Sequence, residues 1–206
     1  MPLTQDLGFI HRFEPGADPT KPPVLLLHGT GGDEEDLLPL GRAIAPGAAL
    51  LSPRGKSIEN GMARFFRRMS EGVFDEDDVR FRAGELADFV AAARTAYRLA
   101  APIAIGYSNG ANVAAAVLML RPQALAGAAL LRAMAPLRVA PKVDLAGKPV
   151  LMISGVGDRM IPADNSARLA ATLTEAGALV RQELVPTGHQ LSQRDATLAG
   201  AWLAEL

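Results

Sequence analysis

Short apolar runs alternate with longer segments of helical spacing along this chain of 206 residues. The runs are apolar without interruption, which is typical of strands that are covered on both faces of a parallel sheet. The pattern therefore predicts an α/β fold, with a mostly parallel central sheet and helices on both faces. The predicted strands are 24–27, 49–51, 103–105, 128–131, 150–154 and 179–185.

Helices are expected between these strands, and several carry start or stop signals. Pro162 suits a first helical position, Gly177 suits the residue after a helix end, and Ser192 with Asp195 has the spacing of a capping box. The expected helices are 34–45, 77–100, one after Ser108, one opening at Pro162 and one opening at Ser192.

The stretch 53–78 is too long for an ordinary connection between a strand and a helix, and such connections are often functional. Four of its apolar residues have the i, i+3, i+4, i+7 spacing of a short amphipathic helix: Met62, Phe65, Phe66 and Met69. The opposite side of that helix would carry Arg64, Arg67 and Arg68. Either its apolar side roofs a pocket, or the helix packs on the domain with its arginines solvated or paired to the acidic residues 75–78.

Composition narrows the possible functions. With 49% apolar and 21% charged residues, the chain is expected to form a single domain over residues 1–206. A net charge of -1 gives no electrostatic reason for a nucleic-acid partner. The absence of cysteine excludes disulfides, thiolate nucleophiles and cysteine zinc sites, and three histidines leave little for a histidine metal site.

The expected location is the cytoplasm, which the absence of disulfides fits. The first six residues lack a basic stretch followed by an apolar run. No apolar stretch is long enough to cross a bilayer, so we expect no stable membrane insertion.

The most informative motif is Gly106-Tyr107-Ser108-Asn109-Gly110, a G-x-S-x-G sequence between an apolar run and a helical one. This is the setting of a nucleophile elbow, in which a strained turn lifts a serine hydroxyl above the sheet. The two glycines leave room for that turn. Ser108 is therefore the predicted nucleophile, unless the match is an ordinary strand-to-helix loop.

A serine nucleophile needs a base, and His189 is the only histidine downstream of Ser108. It follows the last predicted strand in a glycine-containing loop, where it could act as general base or be merely solvated. His11 is expected to be a surface or edge residue. His28 ends a predicted strand and could be a structural hydrogen-bonding residue near the site.

Asp158 is the leading candidate for the acid that orients His189, because it comes just after the carboxyl end of a predicted strand. Asp144 precedes the same strand and should lie at the opposite edge of the sheet. Asp164 falls just inside the following helix, where it could simply favour the helix N-terminus.

The oxyanion requires two donors, for which we select the backbone amides of Asn109 and Thr30. Thr30 lies in a glycine-rich loop after a strand, where Gly29 and Gly31 allow the backbone to approach a reacting carbonyl. The same loop could instead cradle a phosphate. That alternative lacks the required glycine-lysine pattern, and the acidic run 33–36 would repel phosphate.

Taken together, these motifs resemble the phospholipase/carboxylesterase family of α/β-hydrolases, the small relatives of acyl-protein thioesterases. The resemblance rests on 28–32, 106–110, Gly157-Asp158 with Ile161-Pro162, and Gly188-His189, and covers nearly the whole chain from Lys21. The segments 52–55, 59–62 and 64–66 are similar to the bacterial carboxylesterase branch. The resemblance implies an α/β-hydrolase fold with a minimal cap, a triad of Ser108, Asp158 and His189, an oxyanion hole at Thr30 and Asn109, and no cofactor or metal.

The expected activity is hydrolysis of small to medium carboxylic esters, with Phe65, Phe66 and Phe74 lining an apolar substrate pocket. If the predicted helix faces the other way, Arg64, Arg67 or Arg68 could instead meet a substrate carboxylate. Acyl-thioesterase or lysophospholipase activity within the same family stays open, although that branch usually has Gln and Gly where this chain has Asn109 and Gln190. A ligand-binding receptor with little turnover is the alternative outside enzymes. Relatives are often dimers, so a homodimer is possible.

Overall fold

The structure, a computed structural model, describes residues 7–206. Its strands are β1 (His11–Glu14), β2 (Val24–Leu27), β3 (Leu50–Pro53), β4 (Ser57–Glu59), β5 (Met62–Arg64), β6 (Arg68–Ser70), β7 (Val73–Phe74), β8 (Ile103–Tyr107), β9 (Gly127–Leu131), β10 (Pro149–Gly155) and β11 (Leu179–Val185). Its helices are α1 (Leu38–Ile44), α2 (Glu76–Tyr97), α3 (Asn109–Leu120), α4 (Ala163–Glu175) and α5 (Gln193–Leu203), with a 3₁₀ turn at Pro122–Ala124.

A seven-stranded sheet in the order β1-β3-β2-β8-β9-β10-β11 forms the centre of the molecule. β1 pairs antiparallel with β3, and every other pair in this sheet is parallel. All six strands predicted from the apolar runs are present. Because parallel strands end at the same edge, the loops after β2, β8 and β10 meet at the carboxyl edge of the sheet.

Helices cover both faces of this sheet, as the apolar pattern predicted. Leu25 and Leu27 of β2 belong to a buried cluster with residues of α2, α3 and α4. Val24 and Leu26 belong to a second cluster, with residues of α1 and α5. Successive side chains of a strand point to opposite faces, so one apolar strand supplies both layers of the core.

The helix boundaries agree with the predicted ones to within three residues except at α1, which begins at Leu38 and not at 34. The Asp33 carboxylate accepts a hydrogen bond from the Glu35 amide, so the acidic run forms a turn before the helix. The capping box of α5 is formed by Ser192 and Asp195, as predicted. Within residues 7–206, no helix is long and apolar enough to cross a membrane.

The prediction of an amphipathic helix at 62–69 is wrong, because these residues belong to two β-hairpins. β4 and β5 are joined by Asn60 and Gly61, whose φ angles are 51° and 79°. Positive φ at both central residues is the requirement of a tight hairpin turn, and Asn-Gly meets it at little cost. β6 and β7 form the second hairpin, with Gly72 at a φ of 74° in its turn. The helical spacing of the four apolar residues was therefore coincidental.

His11 was expected at the surface or at an edge, and it occupies an edge strand but is buried. β1 is the last strand on its side of the sheet, and the short, half-polar sequence of β1 gave no strand signal. Only 3% of His11 is exposed, and its ring nitrogens contact the Phe9 carbonyl oxygen and the Tyr97 hydroxyl, both at 2.8 Å.

Two helical glycines provide a matched test of the close packing at the start of α3. A Cβ at Gly110 would lie 2.0 Å from the Leu27 carbonyl oxygen, whereas one at Gly84 in α2 would meet nothing closer than 3.9 Å. We expect Gly110→Ala to lower the free energy of unfolding by about 1–3 kcal/mol, and Gly84→Ala to raise it by up to about 1 kcal/mol. Urea denaturation measures both, and shifts of the same sign would contradict the packing.

Candidate active site

Ser108 lies between β8 and α3, at the carboxyl edge of the sheet. Its φ of 52° is a strained value for a residue with a side chain. The turn is tight on both sides, since a Cβ at Gly106 would lie 2.5 Å from the Gly110 carbonyl oxygen. The strand, the strained serine and the helix together have the form predicted for a nucleophile elbow.

The structure brings Ser108, His189 and Asp158 into one hydrogen-bonded row. His189 Nε2 lies 2.9 Å from Ser108 Oγ, and His189 Nδ1 lies 2.8 Å from Asp158 Oδ2. A carboxylate can only accept, so Nδ1–H donates to Asp158 and leaves Nε2 free to accept from the serine hydroxyl. The base is thereby held in the tautomer that proton abstraction from a serine requires.

Asp158 is itself fixed by the loop that follows β10. Its other carboxylate oxygen accepts hydrogen bonds from the amides of Met160 and Ile161, at 2.8 and 3.1 Å. Its side chain is 3% exposed and that of His189 is 16% exposed, so the pair is shielded while His189 still reaches solvent.

The competing acidic residues and histidines lie elsewhere. Asp144 is exposed and accepts a hydrogen bond from the Ala146 amide before β10, and Asp164 is exposed in the first turn of α4. His28 is buried, accepts the Gly55 amide at Nε2, and contacts its neighbour Gly29 through Nδ1. The structural role considered for His28 is therefore confirmed.

Two residues that line the site have unused backbone donors. Among the described residues, neither the Thr30 amide nor the Asn109 amide forms a hydrogen bond. Asn109 is the first residue of α3, where amides have no acceptor within the helix and the helix dipole favours negative charge. Both residues line the same cavity as Ser108 and His189, which places two donors beside the nucleophile.

This cavity is small, about 50 Å³. Phe74, Met134 and Ile161 contribute apolar wall, and Arg64 contributes a charged group. A groove of about 600 Å³ lies between α1 and α5, at the amino edge of the sheet. We place the site at the smaller cavity because the nucleophile, the base and the free amides meet there.

Known proteins are similar to this chain over nearly its whole length, although no family model matches it. "Putative hydrolase MhqD" of Bacillus subtilis (strain 168) is 45% identical over 197 residues, which are 95% of this chain and 98% of that protein. The crystal structure of the Bacillus cereus carboxylesterase is 43% identical, with a TM-score of 0.93 over 96% of this chain and 94% of that one. The chain belongs to the phospholipase/carboxylesterase family of α/β-hydrolases.

Further members of this family have been solved. The carboxylesterase of Mesorhizobium loti is 34% identical, with a TM-score of 0.93 over 100% of this chain and 99% of that one. YahD, solved with malic acid, is 31% identical, with a TM-score of 0.91 over 96% of this chain and 98% of that one. The α/β-hydrolase fold expected from the sequence is thereby confirmed.

In this family member the segment 53–78 is tied to the site by hydrogen bonds. The Gly55 amide donates to His28, the Gly31 amide donates to the Ala63 carbonyl oxygen, and the Phe65 amide donates to the Asn109 side chain. The two hairpins therefore roof the cavity and share their anchors with the loop that carries Thr30.

The aromatic residues predicted to line the pocket divide between the pocket and the core. Phe74 lines the cavity, but Phe65 and Phe66 are 3% and 0% exposed and belong to the core cluster. The error follows from the hairpins, because β5 ends at Arg64 and the chain then turns both rings inward. Arg64 and Arg68 line the cavity, while Arg67 pairs with Asp75 on the surface.

Arg132 is a residue of the site that sequence reasoning missed. It follows β9, is 0% exposed, and forms an ion pair with Asp195 of α5 at 2.7 Å. Its guanidinium also donates to the carbonyl oxygens of Gly188 and Gln190, on either side of His189. Burial raises the pKa of Asp195, but hydrogen bonds from Arg132 and Ser192 outweigh it, so the net shift lowers that pKa. Arg132 therefore holds the loop that positions the base.

Removing the charge of Arg132 tests this anchor. We expect Arg132→Met to lower the free energy of unfolding by about 3–5 kcal/mol, because Asp195 is left buried without a partner. Ester turnover by the folded fraction should also fall, because the His189 loop loses its donors. The control is Arg181→Met, which removes the surface ion pairs with Glu183 and Glu205 and should cost less than about 1 kcal/mol. Urea denaturation measures both variants. Equal losses of the free energy of unfolding would contradict the role of Arg132 as a buried anchor.

The buried His28 predicts a pH dependence. Burial is the main cause that lowers the pKa of His28. As the pH falls, His28 of the unfolded chain therefore takes up a proton before His28 of the folded protein does. This difference leaves the free energy of unfolding unchanged above about pH 6.5 and lowers it as the pH falls below that value. Urea denaturation between pH 5 and 8 should show a steeper acid loss for wild type than for His28→Gln. Parallel curves for the two proteins would refute the prediction.

Proposed function

We propose that this protein is a serine carboxylesterase that hydrolyses small to medium carboxylic esters through an acyl-enzyme. The observation that carries the proposal is the hydrogen-bonded row from Ser108 through His189 to Asp158, beside two free amides. Family membership supports it, because similar chains at 43% and 34% identity are carboxylesterases.

In the first half of the proposed reaction, Ser108 Oγ attacks the ester carbonyl carbon while His189 Nε2 takes the hydroxyl proton. Asp158 stabilises the imidazolium that forms. The negative carbonyl oxygen is bound by the amides of Thr30 and Asn109. When the carbon–oxygen bond to the alcohol breaks, His189 gives its proton to the leaving oxygen, and the acyl group stays on Ser108.

In the second half, water replaces the alcohol. His189 takes a proton from water as it attacks the acyl carbon, the oxyanion forms again, and Ser108 leaves with the proton that His189 returns. The net reaction is ester and water to acid and alcohol. The proposed sequence uses no cofactor or metal.

The size of the cavity favours short acyl groups. Its volume of about 50 Å³ is well below the roughly 300–1,000 Å³ of typical ligand pockets. A long acyl chain would have to displace the hairpins.

A cytoplasmic location and a homodimer remain parts of this proposal, and light scattering of the purified protein tests the second.

Hydrolysis of p-nitrophenyl esters from acetate to palmitate tests the activity. We expect turnover to peak at short chains and Ser108→Ala to lower it at least roughly a thousandfold without unfolding the protein. Ser70→Ala, at an exposed serine of β6, serves as the matched control and should keep wild-type rates. A Ser108→Ala variant with wild-type turnover would sink the proposal.

The same experiment separates the alternatives. A maximum at long chains, or a preference for thioesters over matched oxygen esters, would favour the acyl-thioesterase or lysophospholipase activity. Tight binding of a small ligand by a protein that neither hydrolyses activated esters nor reacts with a fluorophosphonate would favour a receptor.

A further inference from the structure

The guanidinium of Arg64 is buried beside Ser108 with much of its hydrogen-bonding capacity unused. Arg64 is 3% exposed and lines the cavity. Its Nε donates to the Phe66 carbonyl oxygen at 3.1 Å, and its Nη1 donates to Thr30 Oγ1 at 2.6 Å. A guanidinium has five N–H donors, and Nη2 forms no hydrogen bond within residues 7–206.

The charge of Arg64 is only partly compensated. The carboxylate of Glu59 lies 3.4 Å from Arg64 Nε, but it is already bound by Arg68 at 2.7 Å. Two guanidiniums thus share one carboxylate. Burial and the charge of Arg68 lower the pKa of Arg64, which means that the surroundings of Arg64 disfavour its charged form. Glu71 also lines the cavity, but its side chain is exposed at the tip of the second hairpin.

The neighbouring asparagines also present donors. Asn112 is 3% exposed, and its Oδ1 accepts the Met134 amide at 2.9 Å, which leaves its NH₂ group without a hydrogen bond in the described part of the chain. Asn109 Oδ1 accepts the Phe65 amide at 2.7 Å, and Asn109 Nδ2 is buried with no partner among the same residues. Both acceptors are occupied by the protein, and neither NH₂ group forms a hydrogen bond there. A fully buried donor without a partner is costly, so Asn109 Nδ2 in particular calls for an acceptor.

We propose that Arg64, with the amide of Asn112, forms an anion subsite that binds a carboxylate carried by the ester substrate. The subsite rests on the proposed esterase function and names its substrate class. Because the cavity is small, the carboxylate lies only a few bonds from the scissile carbonyl. The substrates are therefore half-esters of short dicarboxylic acids, or short hydroxy acids that are acylated on the hydroxyl group and keep a free carboxylate.

Two pairs of esters distinguish these sources, with proton release as the assay. Monomethyl succinate against methyl pentanoate tests a carboxylate in the acyl part. Acetoxyacetate against propyl acetate tests a carboxylate in the alcohol part. We expect kcat/KM for the charged member to exceed that of the neutral member roughly 10- to 100-fold in one pair, the range of a charge-assisted hydrogen bond. The pair that shows this preference identifies whether the bound carboxylate belongs to the acyl part or to the alcohol part of the substrate.

Variants then assign the preference to Arg64. In Arg64→Gln the ratio of charged to neutral kcat/KM should fall by roughly the same 10- to 100-fold. The ratio is the readout because Arg64 also holds Thr30, so both members of a pair lose rate. Arg67→Gln is the control, since Arg67 is exposed and paired to Asp75, and its ratio should stay at the wild-type value. If Arg64→Gln does not fold, Asn112→Asp keeps the acceptor for Met134 and should also lower the ratio.

The two proposals fail in different ways. Wild-type ratios at or below one in both pairs, with the neutral esters hydrolysed, would overturn the subsite and leave the esterase intact. A ratio that is unchanged in Arg64→Gln would do the same. Failure to hydrolyse any of these esters or p-nitrophenyl acetate would overturn the esterase function itself.

Discussion

The buried contact between Arg132 and Asp195 is the constraint on which the geometry of the site depends. Ser108 and Asp158 follow β8 and β10, which are paired on both sides, so the sheet fixes where they emerge. His189 follows β11, an edge strand with one neighbour, and its loop is tied to the sheet by the Tyr107 hydroxyl, which donates to the His189 carbonyl oxygen. Arg132 adds further support through the carbonyl oxygens on either side of His189. A buried ion pair seldom adds net stability over an apolar pair of similar volume, so its value here lies in geometry.

The parts that the sequence predicted are those whose signals are local. Uninterrupted apolar runs mark strands that are covered on both faces, and a serine between two glycines marks a strained turn wherever it follows such a run. The order of Ser108, Asp158 and His189 could be read along the chain because each follows a recognisable strand. The capping box at Ser192 and Asp195 is likewise a local pattern, and it was found in place.

The parts that were missed depend on contacts between distant residues or on a signal that was outweighed. Nothing local distinguishes Arg132 among the 21 lysines and arginines, because its partner Asp195 lies in another element. The hairpins could have been found, since Asn60-Gly61 is a strong turn signal. The helical spacing of four apolar residues led to the prediction of a helix instead. In the structure, Met69 is 74% exposed while Phe66 is fully buried, a division that belongs to separate strands and not to one helix face.

The hairpins couple substrate selection to catalysis. The Gly31 amide binds a carbonyl oxygen of β5, and Arg64 binds the Thr30 side chain, so the roof of the cavity and the loop that carries the Thr30 amide form one unit. His28 joins the same unit through the Gly55 amide. A substitution that widens the roof must therefore also disturb the loop that carries the Thr30 amide. In this protein the preference for a substrate and the rate of the chemical step should change together, because the same hydrogen bonds set both.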